Sequence, residues 1–146
     1  MVRSRTIFPV FMVVGMTVLT GCLLDLDTGP GFGLLQSVVA TAQALPEEVR
    51  ASGGTATATV SGQIVGKLPC DEVLGEVKED GSALRVTITL RADRQVCNGI
   101  APTTFSFIAN LLNLDPGERP LRVEYRYVGL DGNNGVRLDT AVVVGG

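Results

Sequence analysis

The chain has 146 residues, 45% of them hydrophobic and 18% charged, with a formal net charge of −3, which leaves room for one modest domain. Histidine and tryptophan are absent, so a Ser/His/Asp triad, a Cys/His dyad and a histidine-ligated metal cannot be built. The low charge and its slightly acidic sign argue against a disordered acidic tail and against nucleic-acid binding.

The first two dozen residues are organised as an export signal. Arg3 and Arg5 form a cationic start, and an apolar run from Ile7 to Leu19 leads into Leu19-Thr20-Gly21-Cys22. This segment resembles the lipobox of bacterial lipoproteins, in which small residues ahead of a cysteine admit the signal peptidase and the thiol is diacylated before cleavage. The resemblance covers the signal alone. It implies a signal peptide over residues 1–21, a mature chain starting at a lipidated Cys22, and a lipid bilayer as its first partner. Leu23 stands where aspartate would resemble an inner-membrane retention signal, which points to the outer membrane in a cell that has two. A signal anchor, or a signal cut elsewhere with Cys22 left as a thiol, is the alternative. A spanning helix is disfavoured because Pro9 and Gly15 interrupt an apolar run that falls short of the ~20 residues needed to cross a bilayer.

Each acyl chain contributes about 0.8 kcal/mol per buried methylene, so two or three on one residue hold a protein at a bilayer effectively permanently. Removal of residues 1–21 would take two of the twelve cationic residues and none of the fifteen acidic ones, leaving ten against fifteen, or −5. Such a chain has no electrostatic attraction to anionic lipid or to DNA. With Cys22 given to lipid, Cys70 and Cys97 remain as an even pair in an exported chain, and a disulfide between them is expected. Closing that loop would stabilise the fold by roughly 3.5 kcal/mol. A two-thiolate metal site or a reactive thiol is the competing reading. It lacks both a histidine and a C-x-x-C spacing.

After Cys22, the run Asp25-Leu26-Asp27-Thr28-Gly29-Pro30-Gly31 reads as a tether. Leu34, Leu35, Val38, Val39, Ala42 and Leu45 fall at helical spacing and predict a short helix over 34–45, although Val38, Val39 and Thr41 also suit a strand. Residues 22–52 are therefore expected to hold the lipidated cysteine, tether and possible helix, with the folded domain over 53–146. Thr55 to Ile64 alternates at period two, Pro69-Cys70-Asp71 breaks the pattern, Val73 to Val77 resumes it, and Glu79-Asp80-Gly81-Ser82 reads as a hairpin turn. From Ala83 to Arg91, Leu84, Val86, Ile88 and Leu90 face one way and Arg85, Thr87, Thr89 and Arg91 the other. Phe105, Phe107 and Ala109 form another inward set.

The turn Asp131-Gly132-Asn133-Asn134-Gly135 predicts a final hairpin. If Gly132 faces Asn133, Leu121 lies opposite Val144, Val123 opposite Val142, Tyr125 opposite Thr140, Tyr127 opposite Leu138, and Arg126 opposite Asp139. Six or seven short strands in this length predict an all-β fold, a single small sandwich. Leu112-Asn113-Leu114-Asp115-Pro116-Gly117 followed by Leu121-Arg122-Val123 resembles a corner of the immunoglobulin and fibronectin type III class, which implies an immunoglobulin-like β-sandwich. Arg119-Pro120 stands where that class commonly carries a tyrosine, and its core tryptophan has no counterpart.

Candidate chemistry is thin. Asp71 and Glu72 are adjacent carboxylates that point apart on an extended chain and read as solvated loop charges. Lys67 and Lys78 could activate Ser61, Ser82 or Ser106, but no S-x-x-K or G-x-S-x-G motif is present. Asp131 to Asn134 has one carboxylate, too few for calcium. Tyr125 and Tyr127 could stack a sugar, yet share a face with Leu121 and Val123 and so read as core. Arg122, Arg126 and Arg137 on the opposite face are interleaved with Glu124 and Asp139 as a mixed salt lattice. The sequence therefore predicts no enzyme, no cofactor and no metal. It predicts an envelope lipoprotein with a binding or structural role toward an unidentified envelope protein or glycan. The rival readings are a protease-inhibitor-like or chaperone-like module presenting Val96 to Thr104 around Pro102, and a small envelope hydrolase with a pocket of perturbed carboxylates.

Overall fold

In the computed structural model, residues 30–39, 46–92 and 102–146 are described, and they form eight strands and no helix. The strands are β1 (Gly31–Val39), β2 (Val49–Gly54), β3 (Thr57–Gly66), β4 (Glu72–Asp80), β5 (Ala83–Arg91), β6 (Thr103–Leu112), β7 (Gly117–Val128) and β8 (Gly135–Val144). They make two four-stranded sheets, sheet I in the order β1-β6-β3-β2 and sheet II in the order β4-β5-β7-β8. The all-β sandwich is the expected fold class, with eight strands in place of six or seven. Every pair of neighbours is antiparallel except β5 and β7, which run parallel. The immunoglobulin class is built from antiparallel sheets, so the likeness goes no further than two packed layers.

Alternation places the core where the period-two pattern puts it. Val60 and Ile64 of β3 and Phe105, Phe107, Ala109 and Leu111 of β6 face Leu84, Val86, Ile88 and Leu90 of β5 and Leu121, Val123 and Tyr125 of β7, all at most 2% exposed. Tyr125 crosses the interior. Its ring meets Phe107 edge to face, with centroids 6.0 Å apart, and its hydroxyl donates to the Gln63 carbonyl of the opposite sheet at 2.7 Å. A buried phenol needs such a partner.

The helix expected over 34–45 is corrected: residues 31–39 are a strand, paired without irregularity to β6 from Gly31 opposite Leu112 to Val39 opposite Thr104, while 40–45 lie outside the described residues. Gly31 and Gly33 disfavour a helix, and β6 offers a full-length partner, so pairing overrides a weak apolar period. With β1 and β2 both in sheet I, the sandwich takes in Gly31–Val39 and Val49–Gly54, ahead of the boundary expected at residue 53. Of the expected tether, Gly31 belongs to β1 and residues 23–29 lie outside the described residues.

The β7–β8 register is corrected too. Leu121 faces Thr140, Arg122 faces Asp139 and Val123 faces Leu138, four residues away from the expected alignment. Burial selects only the parity of a register, and both alignments share it. The connection decides the rest. Gly132 lies against the Tyr127 ring, where a Cβ would overlap the aromatic carbons, and the Asn134 side-chain oxygen takes the Tyr127 N–H at 2.7 Å. These contacts hold Gly129 to Asn134 as a loop rather than a two-residue turn. The expected turn at Gly81-Ser82 is present, with Gly81 at φ 60° between paired Asp80 and Ala83.

The two sheets join at one corner. Gly145 donates to the Gly54 carbonyl at 2.9 Å and accepts from the Ala56 N–H at 2.8 Å, while Leu114, buried at the β6–β7 connection, donates to the Ala56 carbonyl at 3.0 Å. Ala56 is held at φ 48°, a left-handed conformation costly for a residue with a Cβ. Three residues earlier, a Cβ on Gly53 would overlap the Val143 carbonyl. Gly53→Ala is therefore expected to cost about 1–3 kcal/mol by forced overpacking. Ala56→Gly should be neutral or stabilising by up to about 1 kcal/mol. Urea denaturation of the two variants checks the opposite signs.

Candidate functional site

The two outer faces differ in chemistry. On sheet II the outward residues are charged and largely paired. Arg122 donates to Asp139 at 2.8 Å, Arg91 pairs with Glu72, Lys78 lies 3.6 Å from Glu76 and Arg85 3.9 Å from Glu124. The Asp139 hydrogen bond and charge push the Arg122 pKa up. On sheet I the outward rows set by the register are Leu35, Ile108 and Ser61, then Gly33, Asn110 and Thr59, then Gly31, Leu112 and Thr57. These rows are uncharged across β1, β6 and β3, and the first of them ends on β2 in Arg50, which lies opposite Ser61 and pairs with Glu48 at 3.1 Å. Leu35 is 65% exposed, Ile108 45% and Leu112 43%, and Thr59 donates to Asn110 at 3.1 Å. A shallow hollow of about 370 Å³ runs between Leu35, Leu112, Thr57, Thr59 and Asn110.

A polar cluster closes one end of the sandwich. The Tyr127 hydroxyl donates to the Glu47 carboxylate, Arg137 pairs with Glu47 at 3.2 Å and donates to the Asn133 carbonyl at 2.7 Å, and its guanidinium stacks 5.2 Å over the Tyr125 ring. A bulge in the β7–β8 pairing between Val123 and Glu124 brings it there: Leu138 and Val136 face consecutive β7 residues, leaving Arg137 as the extra one. Burial, the Glu47 hydrogen bond and the Glu47 charge push the Tyr127 pKa up against the opposing pull of Arg137. Burial above all pushes Tyr125 up as well.

Of the residues singled out above, Cys22 and Cys97 lie outside the described residues, and Cys70 is half-buried in the β3–β4 loop. Asp71 corrects the solvated reading. It is 5% exposed and accepts from the Lys67 and Leu68 N–H groups at 2.8 and 2.9 Å, tying the loop as aspartate does when its side chain takes nearby backbone donors. Lys78 is engaged with Glu76 and Lys67 borders a loop hollow with Leu130 and Asp131, whereas Ser61 and Ser106 share the outside of sheet I. No Ser/Lys pairing forms from them. The oxygens of the 131–134 loop serve Arg137 and Tyr127. Arg137 leaves the salt lattice, and Asp139 pairs with Arg122 instead of Arg126. Of the Val96 to Thr104 segment, 96–101 lie outside the described residues, while Thr103 and Thr104 are buried in β6.

Sequence reasoning missed Glu47 and Arg119. Arg119, 5% exposed, pairs with Glu79 and donates to the Ser82 carbonyl at 2.7 Å, clasping the β4–β5 turn; a lone arginine before proline carries no signal of this. Among the described residues, no group of three or more Cys, Asp or Glu is placed to hold a metal, and no helix is long and apolar enough to cross a membrane. No family model, no curated protein and no solved structure matches the chain.

The chain has only two tyrosines, so phenol titration reads this cluster directly. An unfolded tyrosine ionises near pH ~10 and the folded pair well above it. The folded state thus holds more protons beyond pH ~10, and stability falls as pH rises through that range. Phenolate absorbance is expected to appear together with loss of the β-sheet circular dichroism signal, and Tyr127→Phe should weaken the alkaline loss. Ionisation near pH ~10 with the sheet signal intact would place both rings in water.

Proposed function

We propose that the protein is an exported lipoprotein, anchored through acylated Cys22, that displays this sandwich at the cell envelope in a binding or structural role without catalysis. The observation that carries the non-catalytic part is the asymmetry of the two faces. The carboxylates on sheet II are largely taken up by arginines and lysines; on sheet I the hollow beside Leu35 and Leu112 is shallow and lined by hydroxyl, amide and aliphatic groups, and the one beside Ser61 is bordered by the ion-paired Glu48 and Arg50. A catalytic site wants converging, unpaired ionisable groups in a concavity. A docking module wants a rigid surface with a neutral, partly apolar patch.

The anchor rests on the resemblance of Leu19-Thr20-Gly21-Cys22 to a lipobox. The Cys70–Cys97 bridge rests on the pairing left after lipidation, and Cys70 standing as a half-cystine rather than a titrating thiol supports it. In a bacterial host, the wild-type chain is expected to take up labelled palmitate and to fractionate with membranes. Cys22→Ser should accumulate as a larger, unlabelled precursor. Release of that variant as soluble protein of wild-type size would overturn the anchor. Cys97→Ser should lower stability by roughly 3.5 kcal/mol, measured by denaturation with and without reductant. An unchanged midpoint would show that the bridge is absent.

A further inference from the structure

We propose that the outer edge of β1 is a pairing site for a second copy of this chain, two β1 strands adding antiparallel about Leu35 so that the two copies share one continuous sheet. The inference stands whether or not the chain is lipid-anchored.

Sheet edges present rows of unpaired N–H and C=O groups, and soluble proteins guard them with charge, proline, bulges, shortness or cover. Three of the four edges here are guarded. β4 carries Glu72, Glu76, Lys78, Glu79 and Asp80 in nine residues. β8 has a bulge and the charged Arg137 and Asp139. β2 has only six residues, and its Gly53-Gly54 end is crossed and hydrogen-bonded by the end of β8. β1 has none of these. It is nine residues long with no charge and no proline, and it pairs with β6 without a bulge. Among the described residues, no strand pairs with its other side.

An exposed edge selects an extended strand as its occupant, because only a strand satisfies a row of alternating donors and acceptors. The sequence of β1 favours its own copy. With the two-fold axis at Leu35, Gly31 meets Val39 of the second copy, Gly33 meets Ser37 and Leu34 meets Gln36, so all nine residues have partners and parity is kept. No like-charge pair arises, although each chain is acidic overall. The two Leu35 side chains meet on the outer face, each flanked by Ile108 of its own copy, joining two exposed apolar patches into one. An isologous pairing closes at two copies.

Light scattering with size-exclusion chromatography on the purified full chain, and cross-linking of cysteine variants, test this. The wild type is expected to elute as a dimer. Leu35→Lys, at a 65%-exposed position, leaves the fold intact and sets two like charges on the axis, and should raise the dissociation constant by at least about tenfold. Under mild oxidation Leu35→Cys should yield a cross-linked dimer above the wild-type background. Ser37→Cys, exposed on the same face but paired with Gly33, should not, because its own counterpart lies beyond disulfide reach. A monomeric wild type, a dimer indifferent to Leu35→Lys, or equal cross-linking at both positions would each overturn the proposal.

Discussion

The organisation of this sandwich follows from the need to satisfy the backbone groups on four sheet edges. At the corner where β2 meets β8, strand ends from the two sheets exchange hydrogen bonds through Gly54, Ala56 and Gly145, which removes part of two edges at once. The crossing requires a backbone with no side chain between the strands, hence Gly53 against the Val143 carbonyl, and it holds Ala56 in a conformation it would not choose. Strain at one residue is offset by closure of a whole corner. At the opposite corner the Phe32 ring of β1 covers Gly75 of β4, and among the described residues no strand pairs with the outer edge of either. β4 defends itself by charge, and β1 does not.

The same accounting explains the polar end. Pairing of β7 with β8 stops at Tyr125 and Gly135, so the Tyr127 N–H has no strand partner and takes Asn134 instead. The bulge that accommodates this turns Arg137 toward the interior, where the Tyr125 ring, the Glu47 carboxylate and the Asn133 carbonyl receive its charge. Glu47 comes from the segment just before β2, so one ion pair ties the loop ends of both sheets together. A half-buried pair of this kind survives because each member has further hydrogen bonds, not because the pair alone is strongly favourable.

The inward sets of β5 and β6 were legible in the sequence because alternation at period two reports burial directly. Leu84 through Leu90 and Phe105 through Ala109 are buried as expected. What alternation reports is which face, and nothing more. It could not distinguish two β7–β8 alignments four residues apart, since both bury Val123 and Tyr125; the decision lay in Tyr127 lying on Gly132. It could not find β1, where glycines dilute the apolar pattern and Leu35 faces water. Nor could it find Asp71 or Arg119, whose burial depends on backbone groups of loops that only the folded chain brings near. The neutral patch on sheet I was present in the sequence as Thr57, Thr59, Ser61, Ser106 and Asn110, but it acquires meaning only when these residues of β3 and β6 are seen to share one surface.

That surface and the proposed anchor are coupled by chain length. Eight residues separate Cys22 from Gly31, and at about 3.3 Å per extended residue the nine steps between the two span at most roughly 30 Å. In an anchored molecule β1 is therefore the strand held closest to the bilayer along the chain, and no copy could lift its edge far from the plane that holds its neighbours. A charged edge at that position would face the repulsion of an acidic protein confined with others of its kind. An uncharged one does not. Most of the exposed ion pairs lie instead on sheet II, the layer that β1 does not belong to, where arginine and carboxylate partners largely neutralise one another and leave a hydrated surface with little adhesion.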